Sequence, residues 1–94
     1  MSRAIWRFTA PLETETRLRM PVGAEILDVV AARGGTTALE VWAIVDVDAV
    51  EELRTLLVYG TGSHLPEQVT AAEHLATLSM AGGRYIFHVF EVPA

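Results

Sequence analysis

"HLATLSMAGGRYIFHVFEV" (residues 74–92) decides the fold. Its first half follows "PEQVTAAE" (66–73), and together they have the composition of a helix, with Pro66 at a first helical position and Ala71, Ala72 and Leu75 after it. Residues 74–80 also alternate between apolar and polar, and the run ends at Gly82-Gly83, a pair suited to a tight hairpin. The second half, "GRYIFHVFEV" (83–92), is dense in aromatic and β-branched residues and reads as strand. A helix over 66–80 makes the chain mixed; a second strand there makes it all-β.

Upstream, strand patterns dominate. In "RAIWRFTA" (3–10), Ala4, Trp6 and Phe8 point one way and Arg3 and Arg7 the other, with Ile5 the exception; Pro11 then ends the run. "TRLRMP" (16–21) alternates more cleanly, with Leu18 and Met20 inward and Arg17 and Arg19 outward, and Pro21 and Gly23 mark a turn. "AEILDVVAA" (24–32) is a third strand, and "RGGTT" (33–37) has the glycines of a hairpin connection. "ALEVWAIVDV" (38–47) is nearly continuous in apolar residues, as expected of a strand covered on both faces. "RTLLVYG" (54–60) is a further strand. Asp48, with Glu51 three residues on, predicts one helical turn over 49–53, and a second short turn is expected near 66–71.

Ninety-four residues, 51% apolar and 20% charged, fit one globular domain spanning 1–94. The net charge of −5 and the lack of a basic cluster disfavour nucleic acid and anionic membranes as partners. All seven basic residues are arginine, a bias that a GC-rich genome produces. Without cysteine there is no disulfide, thiolate metal site or cysteine nucleophile. "MSRAIWRF" has no apolar signal region and no run approaches a membrane span, so a cytoplasmic protein is expected.

The stretches "AIWRF" (4–8), "MPVGAEIL" (20–27), "VWAIVD" (41–46), "YGTG" followed by "LP" (59–66) and "GGRYIFHVFE" (82–91) occur in order through nearly the whole chain. With them the chain resembles a family of short, uncharacterised tailed-bacteriophage and prophage proteins. The resemblance implies a phage origin, a compact β-rich fold, and a strand before Gly82. It brings no activity and no catalytic residues. The chain departs from the pattern at "AARGGTTALE" (31–40), which is longer than the family's usual hairpin. With the segment before Gly82 taken as strand, about seven strands are expected. They would run mostly antiparallel and meandering, in a small all-β sandwich or partly open barrel.

Candidate sites are few. "YGTGSHLPE" (59–67) offers Gly60, Thr61, Gly62, Ser63 and His64 as ligand-binding residues, through amides that could face an anion. It lacks the lysine and the spacing of a phosphate loop, and a structural turn is the plainer account. Ser63 and His64 are neighbours whose side chains diverge, so they form no nucleophile–base pair. His64, His74 and His88 have no metal-ligand spacing, and Asp46, Asp48, Glu51 and Glu52 lack the pattern of a calcium loop. His88, between Phe87 and Val89, reads as a hydrogen-bonded sheet residue. Trp6, Phe8, Trp42, Phe87 and Phe90 are expected in the core, with Trp42 deeply buried and Trp6 largely so.

These patterns point to a non-catalytic binding protein without cofactor or metal, engaging a host or phage protein. The alternative is a small-ligand binder that sequesters a nucleotide or other anion. Self-association as a symmetric dimer is expected from a small sheet protein with exposed edges. If "GRYIFHVFEV" lies at an edge it would pair with its symmetry mate; if it is central, the edge role passes to residues 16–20.

Overall fold

The computed structural model describes residues 2–32 and 37–93. Their strands are β1 (Arg3–Pro11), β2 (Glu15–Pro21), β3 (Glu25–Ala31), β4 (Ala38–Asp46), β5 (Glu51–Gly60), β6 (Glu73–Met80) and β7 (Tyr85–Glu91), with short 3₁₀ turns at Glu67–Ala71 and Ala81–Gly83. The expected glycine hairpin over 33–37 falls, at 33–36, outside the described residues. Residues 73–80 are strand, and the turn into β7 is made by Gly82 and Gly83 at φ 68° and 91°, a region that favours glycine.

The strands form two antiparallel sheets, of order β1-β4-β3 and β2-β5-β7-β6, and no closed barrel. The all-β sandwich is therefore the architecture, but the meander is not. Only β3–β4 and β6–β7 pair as sequence neighbours; the other pairings join distant segments. β7 lies between β5 and β6, so it is an interior strand and cannot be the edge at which two copies join.

The core is aliphatic. Leu39, Val41, Ala43 and Val45 of β4 face Leu18, Met20, Leu56, Val58, Leu78, Met80 and Val89 of the four-stranded sheet. The expected aromatic core is corrected by this arrangement: Phe8 and Phe87 only flank the cluster, and no aromatic residue is fully within it. Trp42 is half-buried, because β4 is covered on one face alone and Trp42 projects from the other. Trp6 does share the inward face with Phe8 and Ala10, yet it is 39% exposed. Along that face Ala10 is buried, Phe8 and Ala4 are half-buried and Trp6 is exposed, on a strand that lies at the edge of its sheet.

The helical turn expected at 49–53 is absent, and β5 starts at Glu51 instead. The acidic residues there serve a β-turn. Asp48 N–H donates to the Asp46 carboxylate (3.0 Å), and Ala49 N–H donates to the Asp46 carbonyl (3.1 Å). A carboxylate that closes its own turn offers the backbone an alternative to a helix cap. The expected turn near 66–71 is present, at Glu67–Ala71.

Leu39→Ala should cost about 2–5 kcal/mol in urea unfolding, since it empties a fully buried site. Val50→Ala, at a residue 76% exposed, should stay within about 0.5 kcal/mol of wild type.

Candidate functional site

The segment 61–72 leaves β5 and enters β6, and these two strands run parallel with β7 between them. The segment must therefore cross the outer face of the four-stranded sheet. Leu57, whose partners Glu15 and Phe90 place it on that face, is only 1% exposed and lies outside the main core cluster. Val69 in the crossing segment is also buried. Leu65 lines a hollow of about 170 Å³ with Tyr59, Gly60, Thr61, Gly62, Ser63, His88 and Phe90.

Two of the residues that line it, Thr61 and His88, begin a hydrogen-bonded chain that continues beyond the hollow. Thr61 Oγ1 lies 2.7 Å from His88 Nε2, His88 Nδ1 lies 3.1 Å from Thr77 Oγ1, and Thr77 Oγ1 lies 3.1 Å from His74 Nε2. Thr77 has a single hydroxyl proton, so with neutral rings all donors point one way along the chain or all point the other. His74 also meets Phe90 edge-on, with ring centroids 5.3 Å apart. Thr61 and His88 have the contact of a nucleophile and its base, but the third group is a threonine hydroxyl rather than a carboxylate.

Of the residues expected at this loop, Thr61 joins the chain and Gly60, Gly62 and Ser63 line the hollow. His64 instead borders a separate surface recess with Leu12, Glu13 and Tyr59. The loop's amides are partly committed: Thr61 N–H donates to Ile86 O and Ser63 N–H to Gly60 O, both at 3.0 Å. Gly62, at φ 91°, takes the backbone through that turn. The expected reading of His88 as a hydrogen-bonded sheet residue fits its position. The Thr61–His88 pairing spans 27 residues and had no signal in the spacing. Among the described residues, no group of three or more His, Cys, Asp or Glu converges as metal ligands.

A second polar feature sits between the sheets. Arg54 and Glu91 form a two-pronged ion pair, Nε to Oε2 and Nη2 to Oε1, and Arg54 Nη1 donates to the Ala24 carbonyl at 2.7 Å. Both side chains are largely buried. The hydrogen bonds to Glu91 raise the Arg54 pKa above its ordinary value against the opposing effect of burial, and the charges of Glu91, Glu52 and Glu73 add to the rise. The pair lines a cleft of about 450 Å³ that includes Gly23, Glu52 and Glu73. It joins β5 and β7 to the chain entering β3, so its evident work is to tie one sheet to the other.

The third feature is the edge of the three-stranded sheet. Leu12 N–H donates to Thr37 O, and Val47 N–H donates to Ser2 O, at the two ends of the β1–β4 register. Antiparallel bonding alternates, so Ala4, Trp6, Phe8 and Ala10 exchange bonds with β4. Arg3, Ile5, Arg7 and Thr9 then turn their N–H and C=O groups to the free edge. Pro11, of the same parity, has no N–H to waste there.

The other edges are protected. β3 and β6 each carry a bulge, at Ile26/Asp28 and His74/Ala76, and lie alongside one another. β2 presents Glu15, Arg17 and Arg19 outward and ends in Pro21. β1 is regular and exposes Ile5 (62%) together with Trp6. Its arginines are tied inward: Arg7 reaches Glu40 at 3.3 Å and lies over the Trp42 ring, and Arg3 reaches Glu25 at 3.8 Å.

A family model described as a domain of unknown function (DUF7352) matches residues 1–94, and the chain belongs to that family. No curated protein and no solved structure matches it. Among the described residues, no helix is long and apolar enough to cross a membrane.

Arg54→Met should destabilise the fold by about 3 kcal/mol, because it leaves the Glu91 carboxylate buried without its partner. Arg54→Met with Glu91→Leu should recover most of that loss in the same denaturation assay.

Proposed function

We propose that the protein works by binding, as an interaction module that takes an extended segment of another polypeptide along the free edge of β1, without catalysis or a resident cofactor. The observation that supports this most is the contrast between edges: β1 alone among the described strands combines regular pairing, outward-facing backbone groups and exposed apolar side chains. Main-chain bonds supply affinity in strand addition, and side chains at alternate positions supply selectivity. The resemblance to phage proteins supports a partner made by a phage or its host and met in the host cytoplasm.

An anion site at Gly60, Thr61, Gly62, Ser63 and His64 has weaker support. The Thr61 and Ser63 amides are already bonded within the chain, and among the described residues no arginine lines the adjoining hollow. Catalysis at Thr61 and His88 lacks both a carboxylate behind the imidazole and a visible set of oxyanion donors.

Proline at position 5 tests the proposal, since the Ile5 N–H faces away from β4. Ile5→Pro should keep its circular dichroism spectrum while losing about tenfold or more in affinity for nine-residue peptides selected by display against the wild-type chain. Trp6→Pro, which removes a β1–β4 bond, should instead disrupt the fold. Peptides that bind Ile5→Pro as tightly as wild type would place the binding surface elsewhere.

A further inference from the structure

We infer that the segment taken at the β1 edge is acidic: an antiparallel strand whose two carboxylates, four residues apart, face Arg7 and Arg3, with an apolar residue midway between them. The inference rests on the strand-addition reading and names the partner's chemistry. Arg3, Ile5, Arg7 and Thr9 turn their N–H and C=O groups away from β4. A strand added there sets one of its own residues directly opposite each of them.

The charge of this strand runs against that of the chain. The net charge is −5, yet the charged residues of β1 are both arginine. They stand on the uncovered outer face, since Arg7 pairs with Trp42, which projects there, and Arg3 and Ile5 share its parity. Glu25 and Glu40 approach them from the sheet side, at 3.8 Å and 3.3 Å, and the two arginine side chains stay 62% and 47% exposed. A guanidinium offers several N–H donors in a planar fork, so Arg7 can hold Glu40 and still meet a second carboxylate from the open side.

Opposite charges facing each other across a strand pair stabilise it, and like charges destabilise it. A basic segment is therefore disfavoured, and so is β1 of a second copy, which brings only arginines to the edge. Between the arginines, the exposed Ile5 lies beside its cross-strand neighbour Ile44, so the residue opposite it gains by being apolar. The residues flanking that centre fall on the other face, beside Ala4 and the exposed Trp6, and gain in the same way. The segment so described reads acid, three apolar residues, acid.

Titration calorimetry with short peptides blocked at both ends tests this. Thr-Glu-Val-Val-Val-Glu-Thr should bind the wild-type chain about tenfold more tightly than the same peptide with lysine in place of both glutamates. It should also outbind Thr-Glu-Val-Val-Glu-Val-Thr, which has the same composition but sets its carboxylates on opposite faces. Ile5→Pro should lose affinity for all of them. Arg3→Glu leaves the Arg7–Glu40 pair in place and should keep its fold. It should prefer Thr-Glu-Val-Val-Val-Lys-Thr over Thr-Lys-Val-Val-Val-Glu-Thr, because the first charge of an antiparallel strand meets Arg7 and the last meets position 3. Equal affinity for the glutamate, lysine and shifted peptides, or no change of preference in Arg3→Glu, would overturn the inference. So would a wild-type dimer in sedimentation that Ile5→Pro abolishes, which makes a second copy the occupant. If display-selected peptides without the acidic pair still bind, and Ile5→Pro rejects them, strand addition stands alone; binding that survives Ile5→Pro defeats both.

Discussion

Leu39, Val41, Ala43 and Val45 project from one face of β4 into the space between the sheets, and the other strands are placed by the need to cover them. Burying such side chains is worth about 1.5–3 kcal/mol for each of the larger ones. β4 can be covered most completely as the middle strand of its sheet, which puts β1 and β3 at the flanks. The second sheet supplies the opposing layer through Met20, Leu56, Val58 and Val89. Because β4 has only one covered face, its alternate residues, Glu40, Trp42 and Ile44, form an outer surface stitched by Arg7 rather than a second core.

Two devices hold this arrangement against sliding. The Arg54–Glu91 pair and its bond to Ala24 O link the sheets at one end, where a misplacement would strand a charge. The segment 61–72 connects β5 to β6 across the far face of the four-stranded sheet, where Leu57 is buried, carries the buried Val69, and is tied down through Thr61 and His88. With bulges at β3 and β6 and charged residues along β2, β1 is the edge strand among those described that pairs regularly and exposes apolar side chains.

Much of this was legible in the sequence because period-two alternation reports strands directly. The runs at 3–10, 16–21 and 38–47 became strands, and so did 74–80 beside the Gly82-Gly83 turn. Alternation does not say which face will be covered, and that is why Trp42 proved less buried than its apolar neighbours suggest; Trp6 lies on the inward face but on an edge strand, and is exposed there. The Asp48–Glu51 spacing resembled a helix cap, but Asp46 spent its carboxylate on a turn instead. At the candidate loop, Thr61 was visible as part of a glycine turn, whereas its bond to His88 depends on the crossing of 61–72. The Arg54–Glu91 pair left only a faint trace: two charged residues at inward positions of strands whose other inward positions are apolar. The open edge of β1 followed from strand order, which local pattern does not encode.

Residue-resolved amide hydrogen exchange along β1 tests the central claim most directly. At low micromolar concentration, Ala4, Trp6 and Phe8 should exchange slowly while Arg3, Ile5, Arg7 and Thr9 exchange fast, since only the first set bonds to β4. With a display-selected nine-residue peptide at saturation the second set should become protected as well. Uniform protection of β1 in the dilute chain, or fast exchange at Ile5 and Arg7 with the peptide bound, would contradict an edge that is open in the single chain and filled by an added strand.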